Sequence, residues 1–299
     1  MAHFNRRQFL QHSAAAAAAL SVGPFASVAG EPAAAKPGSK MKLGLVTYLW
    51  GRDWDLPTLI ANCAKAEVLG VELRTTHAHG VEPSLSAAER EEVKKRFEDS
   101  PVVCVGPGSN ERFCHTDAGA LKKAIETTRS FVKLSHDVGG SGVKVKPNDL
   151  PKGVPPEKTI EQIGRSLNQL GRFAADFDQE IRLEVHGRCS ELPIMKAIMD
   201  VADHPNVRVC WNSNSQDLAG EGLVHNFNLV KDRFGATCHV RELNVGTYPY
   251  QQLMDLMVGI DYDGWVLLEC RTNPKDRIAG LIEQREVFQE MIAKAQASG

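Results

Sequence analysis

From residue 41 onward, short apolar runs alternate with longer stretches in which apolar residues recur every three or four positions. The short runs are rich in β-branched residues and too brief for helices, so they read as strands, and the periodic stretches read as helices. Strands are expected at residues 42–48 (KLGLVTY), 71–74 (VELR), 102–105, 142–146 (GVKVK), 181–185 (IRLEV), 207–211 (VRVCW), 238–243 (CHVREL) and 266–269 (VLLE). Helices are expected at 55–69, after Ser86, and at 117–138, 158–177, 191–202, 223–233, 251–258 and 275–295. Ser86 followed by Glu89 has the form of a capping box. Runs apolar on both faces imply parallel strands covered by helices. Eight strand–helix units with short connections predict an α/β fold, a (β/α)8 TIM barrel in a single domain. An open doubly wound sheet is the main rival. It usually carries a Gly-rich phosphate turn after its first strand, and here that turn is Leu49-Trp50-Gly51-Arg52-Asp53.

The N-terminus departs from this pattern. Asn5-Arg6-Arg7-Gln8-Phe9-Leu10 precedes a poly-alanine apolar stretch and then Ala26-Ser27-Val28-Ala29. Paired arginines before a modest apolar segment and a small-residue cleavage pattern read as a twin-arginine signal over residues 1–29. Residues 30–40, rich in Ala, Pro, Gly and Lys, read as a linker outside the fold. The barrel then occupies 41–299. Export by this route places the protein in the periplasm or another extracytoplasmic space, and no stable membrane anchor is expected, because no later apolar run is long enough to span a bilayer.

Composition narrows the partners. The formal charge is −2, about −4 once Arg6 and Arg7 leave with the signal, and there is no basic stripe. A nucleic-acid backbone is therefore not an expected partner. The seven cysteines are odd in number, form no CxxC, and several lie in apolar runs such as VVCVG and LLECR. They read as small buried hydrophobes rather than as disulfides or zinc ligands. Proteins of the twin-arginine route travel already folded, so reduced cysteines are compatible with export.

The chemistry concentrates where the last four strands run into their loops, the face on which such barrels carry their sites. Strand five supplies Glu184 and then His186, strand six Asn212, strand seven His239 and strand eight Glu269. Two carboxylates, an imidazole and an amide oxygen suit one divalent cation, with positions left for substrate oxygens, and this oxygen-rich set favours Mn, Mg or Co over a closed structural zinc. Each residue also has a plainer reading. A strand-end Glu is commonly solvated or ion-paired, His239 can be a core histidine, and Asn212 can cap a turn in WNSNSQD.

Together these segments resemble the xylose-isomerase-like sugar isomerase/epimerase superfamily. IRLEVHG is similar to its Leu-x-Glu-x-His segment, and VRVCWNSNSQD, CHVRELN and WVLLECR resemble its strand six, seven and eight segments in order and spacing. The resemblance implies that Glu184, Asn212, His239 and Glu269 hold one divalent metal ion (Mn, Co, Mg or Zn). It also implies that Glu184 and Glu269 move a proton beside a carbonyl of a small-molecule sugar or keto-sugar, through an enediolate. Two departures stand out. The family commonly has Asp at Asn212, so the site carries one negative charge less, and often has His at Ser215, whose loss argues against a multi-zinc repair enzyme. A 3-keto-glycoside lyase working by β-elimination would use the same residues, and a non-catalytic sugar-binding barrel would follow if Asn212 disables the metal site.

Further candidates for substrate binding lie on the earlier loops. VELRTTHAHGVEP places Glu72, Arg74, His77 and His79 near one strand end. Lys144 and Lys146 alternate on strand four and so share a side, which at the mouth would let Lys146 hold a substrate oxyanion. Trp50 and Trp211 offer faces for a sugar to stack on, or core packing. With His186, the expected substrate contacts are Lys146, His77, His79, Arg74 and Trp50. The sequence leaves a homo-oligomer open.

Overall fold

A computed structural model describes residues 36–298. The expected signal (1–29) and the first part of the expected linker lie outside these residues. The strands are β1 (Lys42–Val46), β2 (Gly70–Arg74), β3 (Val103–Arg112), β4 (Gly142–Lys146), β5 (Glu180–Glu184), β6 (Val207–Cys210), β7 (Thr237–Val240) and β8 (Trp265–Leu268). The helices that follow them are α1 (Leu56–Ala66), α2 (Ala87–Glu98), α3 (Ala118–Asp137), α4 (Pro156–Ala175), α5 (Leu192–Val201), α6 (Gly222–Asn228), α7 (Tyr250–Gly259) and α8 (Arg277–Ser298).

All ladders are parallel, and β1 pairs with both β2 and β8. The sheet runs in the order β6-β5-β4-β3-β2-β1-β8-β7. Between β6 and β7 the barrel closes through two isolated parallel bridges, Val209–Phe234 and Asn212–His239. The backbone bonds there are Gly235 N to Val209 O, 2.9 Å, His239 N to Trp211 O, 2.6 Å, and Ser213 N to His239 O, 3.2 Å. The eight-unit barrel read from the hydrophobic pattern is therefore the fold.

Local signals set the helix starts. Asp55 accepts from Thr58 N at 2.9 Å, Asp117 accepts from Ala120 N at 2.7 Å, and Ser86 with Glu89 forms the capping box that the sequence announces. Most apolar side chains, among them Leu59, Leu134, Ile163 and Trp211, join one core between strands and helices. Val46, Val105 and Leu267 form a smaller cluster apart from it. The far end of the barrel from the site is filled by an ion pair. Arg182, fully buried, donates to Glu180 at 2.8 Å, Ser141 Oγ at 2.7 Å and Val105 O at 3.1 Å. Gly142 makes the space, since a Cβ there would lie 2.8 Å from the guanidinium.

Two expectations need correction. Residues 36–40 are not a free linker: Gly38 N donates to Asp261 Oδ1 at 2.7 Å and Gln296 donates to Pro37 O at 2.9 Å, tying the segment to the barrel. β3 spans ten residues rather than four. Gly106-Pro107-Gly108 interrupts the apolar run, yet the strand keeps its pairing with β2 through a register shift between Val71 and Glu72. All seven cysteines are free and buried, and burial pushes the thiols of Cys63 and Cys104 up to about 12. No helix among the described residues is long and apolar enough to cross a membrane.

Candidate active site and metal centre

Parallel strands whose side chains alternate deliver one set of residues into the barrel and the other to the helices. Six polar residues come inward near the strand ends: Glu72 on β2, Lys144 on β4, Glu184 at the end of β5, Asn212 just past β6, His239 on β7 and Glu269 just past β8. Each is less than a tenth exposed. Gly108 on β3 leaves room for Glu72, because a Cβ there would lie 2.6 Å from Glu72 Oε1.

Ligand atoms of Glu184, His239 and Glu269 lie within 4.8 Å of one another. His239 Nε2 meets Glu72 Oε2 at 3.1 Å. That leaves Nδ1 buried without a hydrogen-bond partner among the described residues, 3.9 Å from Glu184 Oε1. A histidine fixed through one nitrogen by a carboxylate, with the other free and facing a second carboxylate, has the form of a metal ligand with its outer support in place. Asn212 donates from Nδ2 to Glu184 Oε1 at 2.8 Å, and turning its amide over would present Oδ1 instead. The residues present therefore fit a divalent cation. The structure brings together all four positions that the sequence singled out.

Lys144 Nζ lies 2.9 Å from Glu184 Oε2 and donates to Ser109 O at 3.4 Å. Burial works against ionised Glu184, but Lys144 and His239 outweigh it and hold the carboxyl well below the usual range. Burial likewise opposes a charge on Glu72, and His239 then Lys144 lower it. Lys144 is raised: burial disfavours the ammonium, and Glu184, Glu72 and Glu269 more than restore it. For His239, burial is outweighed by the Cys210 sulfur and the Glu72 carboxylate beside the ring, and the imidazole rises well above its usual range.

At the mouth, Lys146 Nζ donates to Asn110 Oδ1 at 3.3 Å, and His186 Nδ1 meets Asn148 Oδ1 at 3.1 Å. Burial, and then the neighbouring Lys144, bring Lys146 down to about 8. Burial also lowers His186 and brings His77 to about 4. His77 Nδ1 meets Thr47 Oγ1 at 3.2 Å, and the Arg74 guanidinium lies over the Tyr48 ring at 4.7 Å.

Two expected substrate contacts do structural work instead. His79 uses both ring nitrogens on its own loop, accepting from Val81 N at 3.0 Å and meeting Arg74 O at 2.8 Å. Trp50 is in the core, where it donates to Thr272 O at 3.0 Å and would collide with any side chain at Gly280. Trp211 is likewise fully buried.

The sequence had named Glu72 and Lys144 without placing them in the centre. Their signal is a charged residue at an inward position of an otherwise apolar strand. Beside the site, Asp217 and Tyr248 join the loops after β6 and β7, with the Tyr248 hydroxyl donating to Asp217 Oδ2 at 2.7 Å. Burial pushes Asp217 up to about 7. Nothing in the turn-rich segment around Asp217 had marked it.

Residues 60–291 match the family described as xylose isomerase-like TIM barrel, and residues 3–23 match the twin-arginine translocation pathway signal sequence. No curated protein matches the chain significantly. Among solved structures, L-ribulose 3-epimerase superposes with a TM-score of 0.74 at 14% identity, covering 86% of this chain and 96% of that one. The 3-keto-D-glucoside 4-epimerase of E. coli gives 0.70 at 15% identity, covering 84% and 99%. The IolI protein with a zinc atom gives 0.72 at 14% identity, covering 85% and 99%. At these identities the likeness is one of fold, and the family match over most of the chain carries the assignment. The chain belongs to the xylose isomerase-like TIM barrel family.

Proposed function

We propose that this protein is an exported, metal-dependent sugar isomerase or epimerase that transfers a proton beside a carbonyl. One observation carries the reading: ligand atoms of Glu184, His239 and Glu269 lie within 4.8 Å of one another, and His239 Nδ1 has no hydrogen-bond partner among the described residues. Glu184, Asn212, His239 and Glu269 would hold one divalent ion. Such an ion supplies Lewis acidity to a carbonyl and its neighbouring hydroxyl.

The chain's own residues do the rest. β5 and β8 are three strands apart around the barrel, so Glu184 and Glu269 approach a sugar lying across its mouth from different directions and can address different faces of it. One carboxylate removes the proton from the carbon next to the carbonyl, leaving a planar enediolate. The other returns a proton, to the opposite face for epimerisation or to the adjacent carbon for isomerisation. Lys146 and His186, at the β4 and β5 ends, hold substrate oxygens, and Arg74 and His77 stand at the β2 side of the mouth. The solved relatives named as sugar epimerases, one of them acting on a keto-glucoside, support this substrate class. The twin-arginine match supports action outside the cytoplasm.

A second reading has its own support. His186 is partly exposed at the mouth, two residues beyond Glu184. As an acid in the reaction it would protonate a leaving oxygen, turning the same chemistry into β-elimination from a 3-keto-glycoside.

The deciding experiment incubates the protein and Mn2+ with ketohexoses and with a 3-keto-glucoside in D2O. Deuterium entering the carbon beside the carbonyl, and lost in Glu269→Gln, is the expected result. Free aglycone would identify the lyase. Binding of sugar with no exchange in any substrate would leave a sugar-binding barrel.

A further inference from the structure

The centre of the site already contains a cation supplied by the chain. Lys144 comes from β4 with only 2% of its surface exposed, and its ammonium lies 2.9 Å from Glu184 Oε2. Its stem passes the same gap at Gly108 that admits Glu72: a Cβ at Gly108 would lie 3.4 Å from Lys144 Cε and 2.6 Å from Glu72 Oε1. Lys144 thus sits among the carboxylates of Glu72 and Glu184, with Glu269 near enough to favour its charge. Glu184 is engaged on both oxygens, by Lys144 on Oε2 and by the Asn212 amide on Oε1.

This arrangement bears directly on a divalent ion. The ion would enter beside a positive charge that cannot be diluted by water, and like charges at such separations repel strongly in a buried site. Asn212 brings no charge of its own, so the two features act in the same direction. In the absence of the ion, the ammonium keeps three buried carboxylates from facing one another uncompensated.

We propose that Lys144 is a built-in counter-ion of this centre: it positions Glu184, holds the metal-free pocket together, and makes divalent-ion binding weak and exchangeable, with Asn212 adding to the effect. The inference rests on the metal reading given above. Lys144 is a positioning residue, acting through Glu184.

The test is calorimetric titration of Mn2+ into the full chain and into Lys144→Met, Lys144→Arg and Asn212→Asp, with melting temperatures taken in EDTA and in excess Mn2+. Lys144→Met and Asn212→Asp should each bind Mn2+ at least tenfold more tightly than the parent. Lys144→Arg, which keeps the charge, should stay within a few-fold of it. Lys144→Met should melt lower in EDTA and recover in Mn2+, a pattern that loss of packing alone does not give. If Lys144→Met folds only when Mn2+ is present, the ion has taken over the counter-ion's work, which also supports the assignment. Unchanged or weaker Mn2+ binding by Lys144→Met, alongside tightening in Asn212→Asp, would overturn the role of Lys144 and leave the metal centre standing. No Mn2+ on any of the four proteins would remove the metal centre itself, and this inference with it.

Discussion

Glu72 on β2 holds His239 on β7 across the barrel, Oε2 to Nε2, at 3.1 Å. The contact occupies Nε2 and leaves Nδ1 on the side of Glu184. Outer carboxylates of this kind contribute about 10–100-fold to metal affinity. Glu72→Gln, which keeps the hydrogen bond but not the charge, should weaken Mn2+ binding about tenfold on the same scale. Gly108→Ala should do likewise from a residue that touches no metal ligand, because its methyl would displace Glu72 Oε1. Both are read by Mn2+ titration, and unaltered affinity in both variants would deny Glu72 this task.

The two carboxylates proposed to move the proton should differ in what their loss does to the fold. Glu184→Gln and Glu269→Gln should each reduce proton exchange by about 10²–10⁴-fold, the usual contribution of a positioned acid or base. Glu184→Gln also removes the partner of buried Lys144, and breaking such a pair costs about 3–5 kcal/mol. Glu269 has no ion-pair partner among the described residues. Urea denaturation should therefore show a marked loss for Glu184→Gln and a small one for Glu269→Gln; equal losses would contradict the geometry.

Lys146 gives the site a basic limit. Burial and Lys144 bring it down to about 8, so its charge is present below that pH and lost above it. If the ammonium holds a substrate oxygen, KM should rise as pH passes 8 while kcat changes less. Lys146→Arg, charged throughout, should keep KM flat to pH 10. A rise in KM that persists in Lys146→Arg would point to another group.

Asp217 makes a prediction about stability alone. Burial raises it from 3.8 to about 7, so the folded protein retains a proton that the unfolded chain has lost. Its contribution is full below about pH 4 and is lost as pH rises to 7, on the order of 4 kcal/mol. Asp217→Asn cannot ionise and keeps an acceptor for Tyr248. It should be more stable than the parent at pH 8, and the difference should close below pH 4. Chemical denaturation at the two pH values measures this directly.

The strand-end residues were legible in the sequence because each breaks an apolar run at the point where a parallel strand meets its loop. Glu184, Asn212, His239 and Glu269 follow from that rule with the strand order. The Lys144–Glu184 pair does not, since it depends on the stagger of β4 against β5, where Lys144 is in register with Arg182. The structural use of His79 was also hidden. A His-x-His in a polar loop looks free to bind, and only the fold of residues 74–81 shows both nitrogens of His79 meeting backbone. Trp50 was ambiguous for the opposite reason, as a large ring near a strand end serves a core and a sugar equally well.

Barrel closure has a mechanical consequence. β5 is held in continuous ladders by β4 and β6, whereas β6 and β7 meet through two lone bridges. Few cross-links make this slit the most compliant line of the wall. Asn212 and His239 are themselves one of the two bridges, so a single staple sets both the closure of the wall and the spacing of two proposed ligands, while Glu184 stands on the continuously laddered side as a fixed reference.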